Sequence, residues 1–309
     1  MNDELDELDQ PEGIHGGQFL SASDFKLLWR RRAPSECPGG SGSSECRQNQ
    51  VFRGEASGKD WLVVERLGKD MSEPIRTFLE ATEYLDIEHE AVREFTANSI
   101  IGALTDRERA MRLFVAVRDQ IWYDPYQVSD DPSHYRASHV LEAGRAYCVP
   151  KAVLLTAACR AAGIPARLGF ADVRNHLQTD SLRELMSGSD LFVFHGYSSL
   201  YIDGRWVKAT PAFNRELCAR FGVPPVEFDG EHDALMHAFT ADGTQHMEYV
   251  RDRGVFDDLP LAEILTELQL HYGLLTGAST PAVSDAFTEV PSADHAVNIR
   301  TTPSTSEIP

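Results

Sequence analysis

The chain has 309 residues, of which 42% are apolar, 25% charged and 9% aromatic, a balance ordinary for a globular protein. Lys and Arg number 29 against 48 Asp and Glu, and the resulting formal charge of −19 repels polyanions, which argues against nucleic acid as a partner. The longest nearly apolar run, 152–158, is far shorter than the roughly 20 residues of a membrane-spanning helix, so no membrane association is expected.

The first ten residues are acidic and carry no basic residue, unlike a secretory leader. Cys37, Cys46, Cys148, Cys159 and Cys218 are odd in number and spaced for neither a disulfide framework nor zinc knuckles. A reducing, cytoplasmic location is therefore expected. Cys37 and Cys46 flank a Gly/Ser stretch and read as thiols of a solvated loop, with a bond between them as the alternative.

Residues 1–73 mix acidic, basic and Gly/Ser segments and read as a weakly ordered N-terminal extension. Residues 279–309, rich in Ser, Thr, Pro and Ala, read as a flexible tail. Between them, 74–278 is the foldable domain. Helices are predicted over 87–99 and 106–121: Leu104, Ala110, Leu113, Phe114 and Val117 recur at three- and four-residue spacing, and Thr105 with Glu108 makes a capping box. The stretch 122–144 lacks a period and reads as a long loop with a short helix near 137–142; loops of that length inside a domain are usually functional.

The run AYCVPKAVLLTAACRAAGIPARLGFADV is the most informative. Pro150 fits only the first turn of a helix, and Gly163 followed by Ile-Pro stops it, which predicts a helix over 149–162. Apart from Lys151, Thr156 and Arg160 it is apolar on nearly every face, so it belongs inside the domain. Residues 167–173 then alternate as a strand. After a polar insert, 174–190, two strands over 191–202 and 205–210 are joined by Asp203-Gly204, a strong hairpin signal. A two-residue turn pairs Ile202 with Arg205 and Ser199 with Lys208. Continued by parity, this register puts His195, Thr210 and, if the strand persists, Ala212 and Asn214 on one side of the sheet. The region 227–272 carries His232, His237 and His246 and an amphipathic helix over 259–270.

Cys148 stands at the mouth of the interior helix, where unpaired N–H groups and the positive end of the helix dipole favour a thiolate. It reads as a nucleophile or as an inert core thiol. His195 sits mid-strand in an apolar run and reads as a base or as a satisfied core histidine. The histidine cluster with Glu231 and Asp233 lacks metal-ligand spacing and reads as solvated loop. Arg167, Arg174 and Lys208 are either solvated strand-edge charges or carboxylate binders near a cleft, and Cys159 and Cys218 read as core thiols.

A cysteine opening a long Ala/Leu helix that ends R-A-A-G-I-P-A-R, a strand histidine eight residues before D-G, and a tryptophan and proline in the following strand together resemble the transglutaminase-like superfamily of cysteine enzymes. The resemblance covers roughly 74–214 and is greatest to bacterial members of cysteine-protease type; VRDQIWYDPY resembles the helix end and loop that precede the family's nucleophile. It implies an α+β, papain-like fold in which the nucleophile helix packs on an antiparallel sheet carrying the base. It also implies Cys148 as nucleophile and His195 as general base and acid. The family's third residue is Asp before the proline, and here that position is Thr210. Either Thr210 or Asn214 then orients the imidazole, Asn214 being the better acceptor. Tyr123 is the candidate side-chain donor to an oxyanion beside the Cys148 N–H. The function expected is a cysteine-dependent amide hydrolase or acyltransferase, the hydrolase favoured, acting on a protein or peptide substrate without a cofactor. The alternative is an inactive domain kept as a protein-binding module. The oligomeric state is left open.

Overall fold

Helix packing around one apolar helix organises this chain, and the computed structural model describes it over residues 73–176, 178–237, 240, 243–244, 246–273 and 287, all within the unit Gly58–Pro309. The expected extension with Cys37 and Cys46 lies outside the described residues. So does the expected tail, apart from Phe287. That one residue is buried and packs on Tyr123, Tyr126, Phe213 and Phe221.

A short helix α1 (Glu73–Arg76) precedes α2 (Glu90–Ser99) and α3 (Asp106–Gln120), which starts with the predicted capping box of Thr105 and Glu108. Leu104 precedes that cap and is 88% exposed, so it is not part of the apolar stripe as expected. A two-residue strand β1 (Trp122–Tyr123) leaves α3, and after a 3-10 turn (Pro132–Tyr135) and α4 (Ala137–Ala143) it is paired in parallel by β2 (Arg145–Ala146). This pairing lays Tyr123 beside Ala146, two residues before Cys148.

Helix α5 (Cys148–Ala161) begins one residue earlier than predicted, and every residue from Cys148 to Arg160 is buried. Its three polar residues are buried too, which the sequence reading did not expect, because each finds partners. Lys151 donates to the carbonyls of Arg118 and Ile121, Thr156 to Ser198 Oγ at 2.9 Å, and Arg160 to the carbonyls of Glu80, Ala166 and Asp257. Buried polar groups are tolerable only when bonded in this way.

The sheet is antiparallel with order β5-β4-β3-β6, built from β3 (Ala166–Asn175), β4 (Leu191–Ile202), β5 (Arg205–Ala209) and β6 (Met247–Phe256). The hairpin register is the predicted one, with Ser199 opposite Lys208 and Ile202 opposite Arg205. Two elements depart from the sequence reading. The polar insert holds a helix, α6 (Asp180–Leu185), capped by Thr179, and β6 adds an edge strand whose apolar residues do not alternate because its pairing with β3 shifts twice. Helices α7 (Arg215–Phe221) and α8 (Leu261–Tyr272) complete the described fold. Among the described residues no helix is long and apolar enough to cross a membrane.

Candidate active site

Helix α5 crosses β4 at Gly196. A Cβ placed there would lie 3.0 Å from both Cys148 O and Val149 Cα and 3.2 Å from Ala152 Cβ, so only glycine allows this approach. Glycine thus brings the first turn of the helix directly onto the strand, one residue from His195. The N–H groups of Gly196, Val149 and Cys148 itself favour the charged form of the Cys148 sulfur. Their pull is outweighed, because burial pushes the thiol up to about 11. The expectation of a thiolate at the helix mouth is therefore corrected: loss of solvent around the sulfur exceeds what the helix end returns.

His195 is 2% exposed, and burial lowers its pKa to about 4, so the imidazole is neutral at physiological pH. Neither ring nitrogen has a hydrogen-bond partner among the described residues, and none joins it to Cys148. Strand alternation sends its ring to the face opposite the one Gly196 turns to the helix. The ring's placement is set by a bulge: Phe194 has φ +54°, its N–H donates to Asp172 Oδ1 at 3.1 Å, and the β3 register shifts between Ala171 and Val173. Asp172 is held in turn by Arg253, with both side chains 8% exposed, and Arg253 also pairs with Glu267 and stacks on Phe194. The sequence singled out neither Asp172 nor the bulge, because the residue that supplies the hydrogen bond lies on another strand.

The expected orienting residues do not hold the imidazole. Strand β5 ends at Ala209, so the parity that favoured Asn214 stops short of it. Asn214 instead caps the end of α3: its Oδ1 accepts the Tyr123 N–H at 2.6 Å, and its Nδ2 donates to the carbonyls of Arg118 and Ile121, the same two that receive Lys151. Thr210 is buried with its N–H given to Ala234 O, and its hydroxyl has no hydrogen bond of good geometry, although the Tyr249 hydroxyl lies close enough to be influenced by it. Tyr123, buried and edge-on to Phe213, lines a pocket together with Cys148. Burial holds its hydroxyl well above the usual phenol range, so it remains a proton donor.

The other residues picked from sequence lie elsewhere. Arg167 stacks on Phe78 and Trp206, Arg174 pairs with Asp190, and Lys208 pairs with Asp252 over the Tyr197 ring, so none is free to bind a carboxylate at Cys148. His232 bonds Asp229, His237 approaches Pro225 O, and His246 is buried beside Phe213. Cys159 and Cys218 are buried free thiols, as expected.

Residues 93–211 match the family model described as Transglutaminase-like superfamily. No curated protein matches the sequence. Among solved structures, a putative cysteine protease from Cytophaga hutchinsonii is similar at 17% identity over 46% of this chain and 43% of that one, with a TM-score of 0.36. A putative protease from Parabacteroides distasonis is similar at 16% identity over 44% of this chain and 26% of that one, with a TM-score of 0.30. The chain spans less than half the length of either. The matched residues run from α2 through helix α5 and the hairpin to Pro211, where this chain is similar to the core of that family and has an α+β fold with helix α5 packed on an antiparallel sheet.

Proposed function

We propose that this protein is a cysteine-dependent amide hydrolase acting on protein or peptide substrates through a thioester. The observation that carries the reading is the crossing at Gly196, which sets a helix-opening cysteine one residue from a buried histidine whose ring nitrogens are both unclaimed. A buried group left unpartnered costs stability, and such groups concentrate where chemistry uses them. In the proposed reaction the neutral imidazole takes the thiol proton as the sulfur–carbon bond forms, then gives it to the departing amine. Water cleaves the thioester and regenerates the thiol. The N–H of Cys148 and the hydroxyl of Tyr123 are the candidate donors to the oxyanion. The pair starts neutral and without a hydrogen bond between its members, so substrate entry must draw thiol and imidazole together before the proton moves. Free thiols at Cys148, Cys159 and Cys218 are consistent with the cytoplasmic placement that belongs to this proposal.

A second reading, a binding module that keeps the scaffold without the chemistry, is favoured by one observation: neither Thr210 nor Asn214 bonds the imidazole. Digestion of a labelled peptide library separates the two. Cleavage by the wild type that is lost in both Cys148→Ala and His195→Ala, with a thioester adduct trapped on Cys148 and seen by mass spectrometry, supports the enzyme. Cleavage that survives Cys148→Ala, or its complete absence with stable binding of a peptide, refutes it.

A further inference from the structure

We propose that the pocket beside Cys148 is a specificity subsite for a branched aliphatic side chain, of Val or Leu size, on the acyl group that the sulfur attacks. This rests on the reading of Cys148 as the nucleophile. Cys148 forms part of the pocket wall, so whatever fills the space is carried by the molecule presented to the sulfur. Much of the rest of the wall comes from outside the hairpin and helix core, from Leu182 and Leu185 of α6, Met186 just beyond it, and Leu268 and Tyr272 of α8, and the hairpin adds Phe192 of β4.

Three properties fix the class of side chain. Among the described residues no charged side chain lines the pocket. Two of its three hydroxyls are engaged, because the Tyr272 hydroxyl donates to Leu191 O at 2.6 Å and accepts from Val193 N at 2.7 Å, while the Tyr147 hydroxyl donates to Tyr135; the third, Tyr123, is the one assigned to the oxyanion. A polar or charged side chain entering here would lose water and gain no partner. The volume, ≈ 50 Å³, holds several water-sized units of about 10–15 Å³ but falls well below the roughly 150 Å³ of a cavity that accepts benzene. A short branched aliphatic group fits that space and an aromatic ring does not. Leu185 and Phe192 are only partly buried and form the rim through which it enters.

Alkylation of the full-length protein by N-substituted iodoacetamides tests this without a known substrate. The sulfur displaces iodide in each case, and the substituent is methyl, isobutyl, benzyl or carboxymethyl. Rates at Cys148 are read at pH 9 from the Cys148 peptide by mass spectrometry and normalised to N-acetylcysteine. The isobutyl reagent is expected to react at least about tenfold faster than the methyl and carboxymethyl reagents, with benzyl no faster than methyl. Leu185→Glu, at the half-exposed rim, is expected to bring isobutyl within about twofold of methyl. Leu185→Ala, which opens the space, is expected to raise benzyl relative to isobutyl. Equal normalised rates in the wild type, a preference for carboxymethyl, or a preference unaltered in both variants overturns the subsite. Labelling by none of the four reagents overturns it as well, since the pocket then does not open to the sulfur. A flat series leaves the peptide-digestion result untouched, and loss of peptide cleavage leaves the alkylation series readable, so the two readings fail separately.

Discussion

Gly196→Ala perturbs the one contact on which the site depends. The added Cβ meets two backbone atoms of α5, Cys148 O and Val149 Cα, at 3.0 Å, and the Ala152 side chain at 3.2 Å. Comfortable carbon contacts lie near 3.5–4.0 Å, so helix and strand must separate by about 0.5 Å. Helix α5 is buried on all sides from Cys148 to Arg160 and has no free direction in which to move. Overpacking of this kind costs about 1–3 kcal/mol. For a domain of this size, a loss of about 2 kcal/mol lowers Tm by about 4–8 °C. The same shift draws the Cys148 sulfur away from the Gly196 N–H and displaces it relative to β4, which carries His195, and a misplacement of this order is expected to reduce peptide cleavage about tenfold or more. Adding Ala152→Gly relieves one of the three contacts and leaves both backbone contacts in place, so it should not restore stability. Thermal and urea unfolding of the single and double variants, with cleavage rates measured in parallel, checks the reasoning. A Gly196→Ala protein that melts within about 1 °C of wild type with full activity would show that the crossing is looser than described.

Asp172→Ala removes the acceptor that holds the Phe194 bulge and leaves Arg253 with Glu267 as its only remaining carboxylate partner shown here; it should cost about 3 kcal/mol in urea unfolding and depress kcat more than KM, and a neutral effect on both would remove Asp172 from the positioning of His195. Asn214→Ala strands the buried Tyr123 N–H and should destabilise by about 2 kcal/mol while leaving the pH dependence of Cys148 alkylation unaltered; a shifted profile would restore Asn214 as the imidazole's partner. Stability should also fall as the pH drops from about 6.5 to about 4. His195 and His246 stay neutral in the folded state, so the unfolded chain takes up their protons first, and each removes about 2 kcal/mol by pH 5. Urea unfolding at pH 7 and pH 5 should show that loss, and His195→Asn should remove about half of it.

What was legible in the sequence was written in residues close together along the chain. The Thr105 and Glu108 cap, the Asp203-Gly204 turn and its register, and the stop at Gly163 each report hydrogen bonds or backbone angles set by neighbours a few positions away. The interior helix declared itself because its apolar residues cover every face. The tertiary structure decided the rest. Parity carried the hairpin only as far as Ala209, and a buried network at the end of α3 claimed Asn214. Strand β6 and helix α6 lacked a clean period because they lie at an edge and in an insert, where only one side meets the core. Local sequence suggested an activated thiol at Cys148, but its pKa depends on how much protein surrounds the sulfur. That enclosure is assembled from α6, β4 and α8, and no local motif records it.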